Sequence, residues 1–164
     1  MPGTPELHKA MKNAWDAAAL DDVVKGYWSV GDRPAFEALN DTEAAPGTPF
    51  PYVVYEQEPA VVTDRMSGEE HLNLTVIDIP WRFRIYAKDT ADYPCKTIAV
   101  ALAERIFRVF GGHPSSSYTP ITLDISGYGH LLTQYTTDYG ARIGEKIYLW
   151  TIEYLIRLDA PVAV

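Results

Sequence analysis

The sequence has little cysteine, little positive charge and no long apolar run, and each shortage excludes a class of protein. Its 164 residues include one cysteine, Cys95, which rules out an internal disulfide and any zinc or iron-sulfur site built from several cysteines. No apolar run approaches the roughly twenty residues that a membrane-spanning helix requires, so we expect no membrane contact. The net charge of -8 argues against a surface that binds nucleic acid, because that affinity comes mainly from lysine and arginine on phosphates.

The N-terminus and the length predict the setting and size of the protein. The first residues contain no basic region followed by a continuous apolar core, which a secretory signal would have. We therefore expect the chain to fold in a cytosol. A chain of 164 residues with 47% hydrophobic content suits one domain, residues 1–164, which buries about two thirds of its unfolded surface.

The clearest pattern in the chain is a strand followed closely by a helix, within residues 77–110. Apolar residues fall at every second position of the first part: Ile77, Ile79, Trp81, Phe83 and Ile85. Ile98, Leu102 and Ile106 recur at helical spacing in the second part, with charged residues on the other side. We expect the strand and the helix to bury their apolar faces against each other.

The same helix carries signals for its two ends. Asp92 or Thr90 can cap its first turn, Pro94 suits an early helical position, and the glycine pair 111–112 can end it in a left-handed conformation. These signals predict a helix that starts close to Cys95 and ends close to Phe110.

Weaker patterns predict the remaining elements. A helix is expected from Thr4, its cap, to about Leu20, followed by an irregular connection with one helical turn over residues 21–48. Further strands are expected over residues 49–55, 131–139 and 147–158. Residues 56–75 are predicted to form a long hairpin or exposed loop, and residues 111–129 a mobile connection with a short strand. The fold class is therefore α+β: a single domain with an antiparallel β-sheet, one helix packed on it, an N-terminal helix and long exposed loops.

Two groups of side chains have the composition of a chemical site but not its spacing. The first consists of His71 and three carboxylates of the same polar segment, Asp64, Glu69 and Glu70. No strand or helix periodicity aims these side chains at one point, so a solvated loop is expected rather than a metal or acid-base cluster. The second is Cys95 with His113 or His130 as a base, and neither histidine has local sequence support for that role. We expect no catalytic residue, no metal ion, no cofactor and no enzymatic activity.

Arginines alternate on the outward face of the strand that contains Trp81. Arg82 and Arg84 could form a basic stripe with Lys88, as in a nucleic-acid interface. We favour cross-strand pairs with carboxylates such as Glu153, or contact with a partner subunit. The final strand has the matching alternation, with Glu153 and Arg157 on the side that faces away from its apolar residues.

Four segments together resemble a known family. Residues 45–54 read Ala-Pro-Gly-Thr-Pro-Phe-Pro-Tyr-Val-Val, and residues 79–87 read Ile-Pro-Trp-Arg-Phe-Arg-Ile-Tyr-Ala. They are followed by a helix of the type Ala-x-x-Leu-Ala-x-x-Ile and by a closing strand with Trp-Thr-Ile-Glu-Tyr at 150–154. In this order the segments resemble the tail terminator, or tail completion, proteins of long-tailed bacteriophages. The resemblance covers nearly the whole chain and contains no catalytic signature, and the long connection over residues 21–44 departs from the shorter family members.

The resemblance implies a structural virion protein that is made in the host cytoplasm and located at the head-proximal end of the tail. Such subunits form a homo-oligomeric ring, typically a hexamer, that caps the tail tube protein at full length and joins it to the head connector or completion protein. DNA passes through the ring without being specifically bound. The expected subunit interface uses the outward residues Arg82, Arg84, Glu153 and Arg157. The expected channel or docking loop carries the acidic residues Glu56, Glu58, Asp64, Glu69 and Glu70.

Two other functions remain open from the sequence. A head completion or connector subunit of the neck would share the ring architecture and contact the portal side. A small ligand-binding or enzymatic α+β domain would instead place polar residues around a cavity between sheet and helix. The inward positions hold Trp81, Phe83 and Trp150, which argues against such a pocket.

Overall fold

The computed structural model describes residues 4–41, 43–68 and 71–161, with side chains described outside residues 62–75 and the two chain ends. The helices are α1 (Thr4–Ala17), α2 (Leu20–Lys25) and α3 (Cys95–Phe110), with a 3-10 turn at Val30–Asp32. The strands are β1 (Leu39–Asp41), β2 (Tyr52–Gln57), β3 (Val61–Gly68), β4 (His71–Lys88), β5 (Gly129–Arg142) and β6 (Ile147–Pro161). No helix of these ranges is long and apolar enough to cross a membrane.

The six strands form one sheet around β4. The order is β1-β2-β4-β6-β5, and β3 pairs with the first half of β4 on the same edge that β2 uses further along. All pairs are antiparallel except the three-residue pair of β1 with β2, which is parallel. The predicted α+β class is therefore confirmed, with a sheet that one short parallel pair makes mixed. The hairpin of β3 and β4 is the long hairpin predicted for residues 56–75.

The gap between β2 and β3 lies opposite a proline of the central strand. β2 ends opposite Trp81 and β3 begins opposite Asp78, so Pro80 lies between the two pairings. The Pro80 carbonyl accepts a hydrogen bond from the Glu58 N–H at 3.0 Å on this edge. Since the N–H and C=O of one residue point to the same edge of an antiparallel pair, the proline nitrogen also faces the gap, where no donor is needed. The proline explains why two short strands stand in place of one long strand.

The predicted alternation of β4 is confirmed. The positions Ile77, Ile79, Trp81, Phe83, Ile85 and Ala87 are all buried. They pair with the apolar side of β6, for example Phe83 with Ile152 and Trp81 with Tyr154. Phe83 also contacts Trp15 of α1 and Phe110 of α3, with ring centroids 6.1 and 5.2 Å apart. Both long helices therefore cover the same face of the sheet, and the core lies between them and β4 and β6.

Helix α3 begins and ends where the sequence predicts, but its cap is different. The Asp89 carboxylate accepts a hydrogen bond from the Cys95 N–H at 2.6 Å, and this bond lowers the pKa of Asp89. The Thr90 hydroxyl instead accepts from the N–H groups of Asp92 and Tyr93, before the helix starts. The prediction of Asp92 or Thr90 as the cap is therefore wrong, because the chain folds back so that a residue six positions earlier reaches the helix.

The N-terminal helix is shorter than predicted. Ala19 has a left-handed conformation with φ of 53°, so α1 ends at Ala17 and α2 starts separately at Leu20. The connection that follows holds α2, the 3-10 turn and β1, and it contributes Trp28 to the core. The Trp28 indole N–H donates to the Pro51 carbonyl at 2.7 Å, which ties the connection to the start of β2.

The connection over residues 111–128 follows the surface but is anchored at its end. The expected short strand is reduced to a single bridge between Ile125 and Tyr128, while Leu123 and Ile125 are buried in the core. The Leu123 N–H donates to Nδ1 of His130 at 2.9 Å, and Nε2 of His130 lies 2.8 Å from the Thr133 hydroxyl. A ring nitrogen that accepts from a backbone N–H carries no proton, so His130 is neutral in the fold.

The neutral His130 predicts a loss of stability in mild acid. Burial lowers the pKa of His130, so the folded protein binds a proton less readily than the unfolded chain, whose histidine titrates at about pH 6.5. The His130 contribution should be fully present above that pH and fall as the pH drops further. His130→Gln can still accept from Leu123 and does not titrate, so its free energy of unfolding in urea should fall less between pH 7.5 and pH 5. Equal pH slopes for the two proteins would contradict this role.

Gly140 of β5 provides space for two aromatic rings of β6. A Cβ atom at Gly140 would lie 2.5 Å from Cε1 of Tyr148 and 2.6 Å from Cε3 of Trp150. We expect Gly140→Ala to lower the free energy of unfolding by about 1–3 kcal/mol, because both rings must move. Gly31→Ala is the matched control, since a Cβ at Gly31 meets no atom within 4 Å. Equal stability of the two variants in chemical denaturation would show that the rings adjust without cost.

Candidate assembly surface

The sheet has a second face on which no helix of the described residues packs. We call it the helix-free face, and it carries the side chains that alternate with the buried ones on β2, β4 and β6. Its charged members are Glu56, Asp78, Arg82, Arg84, Lys88, Glu153, Arg157 and Asp159, with Glu58 directly after β2. All four residues predicted for a subunit interface therefore lie on this face, on two neighbouring strands.

Arg82 lies at the centre of an ionic cluster that joins three strands. Its Nε donates to Glu153 at 2.9 Å, and its Nη2 donates to Glu58 at 2.9 Å. Its Nη1 lies 3.5 Å from Glu56, which also contacts Arg84 at 3.1 Å. The predicted pair of Arg82 and Glu153 is confirmed, and the guanidinium is occupied by carboxylates of its own chain.

The environment of Arg82 holds it in the charged form. Its side chain is 23% exposed, and partial burial alone would lower its pKa. The hydrogen bond to Glu153 and the charges of the three glutamates outweigh this effect and raise the pKa of Arg82 above its usual range. The guanidinium of Arg82 therefore keeps its charge within the cluster.

A second pair extends the network along the face. Arg157 of β6 donates to both carboxylate oxygens of Asp78 of β4, at 2.7 and 2.9 Å. This two-point geometry is the strong form of an arginine-carboxylate contact, and it raises the pKa of Arg157. Among the described side chains, the face thus carries five carboxylates against three guanidinium groups and the amine of Lys88, which leaves an excess of one negative charge.

The helix-free face also has a shallow depression. A space of about 260 Å³ is lined by Pro80, Leu155, Thr136 and the charged side chains of the Arg82 cluster. Its charged groups are already paired with one another. On the opposite side of the sheet Trp81 and Phe83 are buried and Trp150 is partly buried against the core, as predicted, so aromatic rings fill that layer.

Cys95, His113 and His130 are not brought together into a site. Burial raises the pKa of Cys95, while His113 bonds to Ser115 and His130 bonds to Leu123. The side chain of Asp64 in β3 lies outside the described residues, as do the side chain of His71 and the whole of Glu69 and Glu70. That these four side chains form no cluster stays a prediction. Among the residues that the structure does describe, no group of three possible ligands could hold a metal ion.

The sequence does not show which strands form the edges of the sheet. β5 pairs with β6 along one side, and no described strand lies along its other side. Three exposed apolar side chains, Leu131, Tyr139 and Ile143, lie on β5 or directly after it. The sequence predicts a strand over residues 131–139, but only the order of the strands in the structure shows that this strand lies at an edge.

Comparison with known proteins shows what the fold is similar to. No protein-family model matches the sequence, and no curated protein is similar to it. Among solved structures, the fold is similar to that of a chain in "Virion of native gene transfer agent (GTA) particle", with a TM-score of 0.57 and 15% sequence identity. The likeness covers 98% of this chain and 99% of that chain. At this identity it shows a shared fold over the full length of both chains.

The central position of Arg82 predicts a measurable loss when it is removed. Arg82→Met leaves Glu56, Glu58 and Glu153 facing one another with less compensating charge, so we expect a loss of about 1–3 kcal/mol in the free energy of unfolding. The deficit should shrink at high salt, which screens the carboxylates. Arg108→Met is the control, because its pair with Glu104 is exposed and spans one helical turn, which is worth about 0.3–0.5 kcal/mol. Similar losses in the two variants would contradict a central role for Arg82.

Proposed function

We propose that this protein is a structural virion protein that forms a ring, caps the completed tail tube and joins the tail to the head connector. The observation that carries the proposal is the full-length likeness of its fold to a chain of a gene transfer agent virion particle. The resemblance of four sequence segments to phage tail terminators supports the same role and supplies its details. These details are a ring of six copies, the head-proximal end of the tail, and contacts with the tube protein and the head completion protein.

The net negative charge of the helix-free face is consistent with the lining of a channel through which DNA passes. Its five described carboxylates exceed its three guanidinium groups and Lys88 by one charge, and each arginine is already bound to a carboxylate of the same chain. Phosphates would therefore meet the exposed Lys88 but no unpaired arginine of this face, and its net charge would repel them. We propose that this face, with Glu56 and Glu58 at its edge, borders the channel. Asp64, Glu69 and Glu70 of the β3–β4 hairpin are proposed to extend the acidic surface.

The four residues predicted for the subunit interface are less available to a partner than the sequence suggests. Arg82, Arg84, Glu153 and Arg157 satisfy one another or nearby carboxylates within the subunit. A partner that used them would have to replace these bonds. We propose that the four residues stiffen the sheet across its strands and contact a neighbouring subunit only at the margin of the cluster.

A head completion or connector subunit is the second candidate function. The likeness to a chain of a virion particle supports it equally, because it does not distinguish the tail end from the neck. A ligand-binding or enzymatic domain has less support, because the depression on the helix-free face presents charged groups that are already paired.

Binding to tails and heads separates these functions. Purified protein should bind the ends of bare tail tubes of its own particle, stop further addition of tube subunits, and leave filled heads without tails unbound. Electron microscopy and co-sedimentation measure the binding, and tubes that already carry a cap are the control. Binding to filled heads but not to bare tubes would overturn the terminator role in favour of the connector role. Turnover of a small molecule with no binding to either would overturn both.

A further inference from the structure

The free edge of β5 is long and has few of the features that protect an edge from pairing. A strand at the edge of a sheet presents unpaired N–H and C=O groups, and proteins usually block them with proline, lysine, short length or a covering segment. β5 spans 14 residues and contains neither proline nor lysine. Its pairing with β6 is irregular near residues 130–132 and 135–137, and it is regular from Thr137 to Arg142. This last stretch is ready to accept a further strand.

Apolar side chains are concentrated at the same edge. Leu131 is 49% exposed, Tyr139 52% and Ile143 52%. They are three of the eight large apolar side chains that are exposed among the described residues. Exposed apolar side chains grouped beside unpaired backbone are typical of a protein contact.

The opposite edge of the same sheet has the strand direction that β5 needs. β3 runs antiparallel to β4, and so does β2, to which β1 is parallel. β5 runs in the direction of β4, because both are antiparallel to β6. β1 and β3 therefore run opposite to β5. A second copy placed beside the first, with its strands in the same orientation, would meet β5 as an antiparallel neighbour.

Charge does not distinguish between the possible alignments. The basic residues Arg142 and Lys146 follow the end of β5, and the acidic residues Asp41 and Glu43 follow the end of β1. Because β1 and β5 run in opposite directions, these two groups lie at opposite ends of the contact. The match of the two edges is therefore one of strand direction and of the exposed apolar side chains on β5.

We propose that β5 pairs with β1, at the opposite edge of the sheet, in a second copy of this chain, so that the sheets of neighbouring subunits are continuous. The inference rests on the proposed function and identifies the contact from which the ring is built. Because the two edges are different, the contact is repeated head to tail and closes into a ring by rotation, whereas two identical edges would close at a dimer. The helix-free face then forms one wall of the ring and the helices form the other.

The row of the sheet that contains Tyr139 defines the first test of this contact. Asn40, Val54, Arg84, Thr151 and Tyr139 are successive partners across β1, β2, β4, β6 and β5. Asn40 and Tyr139 thus lie at opposite edges on the same face. Two variants, Asn40→Cys and Tyr139→Cys, are mixed and oxidised, and the native Cys95 is buried and does not compete. Thr137→Cys and Ala141→Cys replace Tyr139→Cys in parallel mixtures, to detect a contact in which β5 is shifted along β1 by two residues in either direction.

The cross-linked products decide between contacts. A disulfide between the Asn40→Cys chain and one of the three β5 variants is expected. Each variant oxidised alone should give at least tenfold less cross-linked dimer. Self-linking of Tyr139→Cys alone would overturn the proposal in favour of a two-fold contact. Absence of any cross-link while the wild-type chain assembles would overturn it as well.

Lysine substitutions test the same edge without a reactive group. Leu131→Lys and Tyr139→Lys add charge at exposed positions, so each variant should fold as the wild type does. The fraction of each variant that assembles should be at least tenfold lower than that of the wild type. The mass of the protein in solution, with and without tail tubes, measures this fraction. Val100→Lys is the control, since Val100 is 43% exposed on α3, away from the edge. Near-ultraviolet circular dichroism and thermal unfolding confirm that each variant is folded.

The outcomes separate this contact from the proposed function. Lysine variants that assemble and cap tubes like the wild type overturn the edge contact and leave the terminator role intact. A wild-type chain that forms rings through β5 but binds neither tubes nor heads overturns the function and leaves the contact intact. A chain that stays monomeric with and without tubes overturns both.

Discussion

The structure depends on burying one face of a single strand. β4 pairs with β6 along one side and with β2 and β3 along the other, and its inward side chains contact α1, α3 and β6 at once. Phe83 lies at this junction, with rings from two helices and from β6 around it. Each methylene buried there contributes about 0.8 kcal/mol. The other elements are held in place because they cover this face or extend the sheet that carries it.

Burial on one side leaves the other side of the sheet to be stabilised by charge. Arg82 joins Glu56, Glu58 and Glu153 across strands that are distant in sequence, and Arg157 with Asp78 repeats the pattern further along. Such pairs add less stability than the core does, because they are partly exposed to water. They fix the register of β2, β4 and β6 and leave a net negative surface.

Periodicity in the sequence was sufficient to predict the elements that form the core. The two-residue alternation of β4 and β6 and the helical spacing of α3 follow directly from their apolar residues, and the cross-strand pair of Arg82 with Glu153 follows from the alternation. The order of the strands could not be predicted, since it depends on long-range pairing that no local pattern specifies. For the same reason the cap of α3 by Asp89, the break at Ala19 and the exposure of the β5 edge were found only in the structure.

Pro80 has a consequence for how the sheet keeps its alignment. The nitrogen of Pro80 carries no hydrogen and cannot donate a hydrogen bond. A backbone carbonyl of a neighbouring strand that moved opposite this nitrogen would therefore be left without a donor. β2 cannot slide along β4 towards β3, nor β3 towards β2, without meeting this penalty. Pro80 thus separates the pairing of β4 with β2 from its pairing with β3. A change of register in one of these two pairings is therefore not passed on to the other.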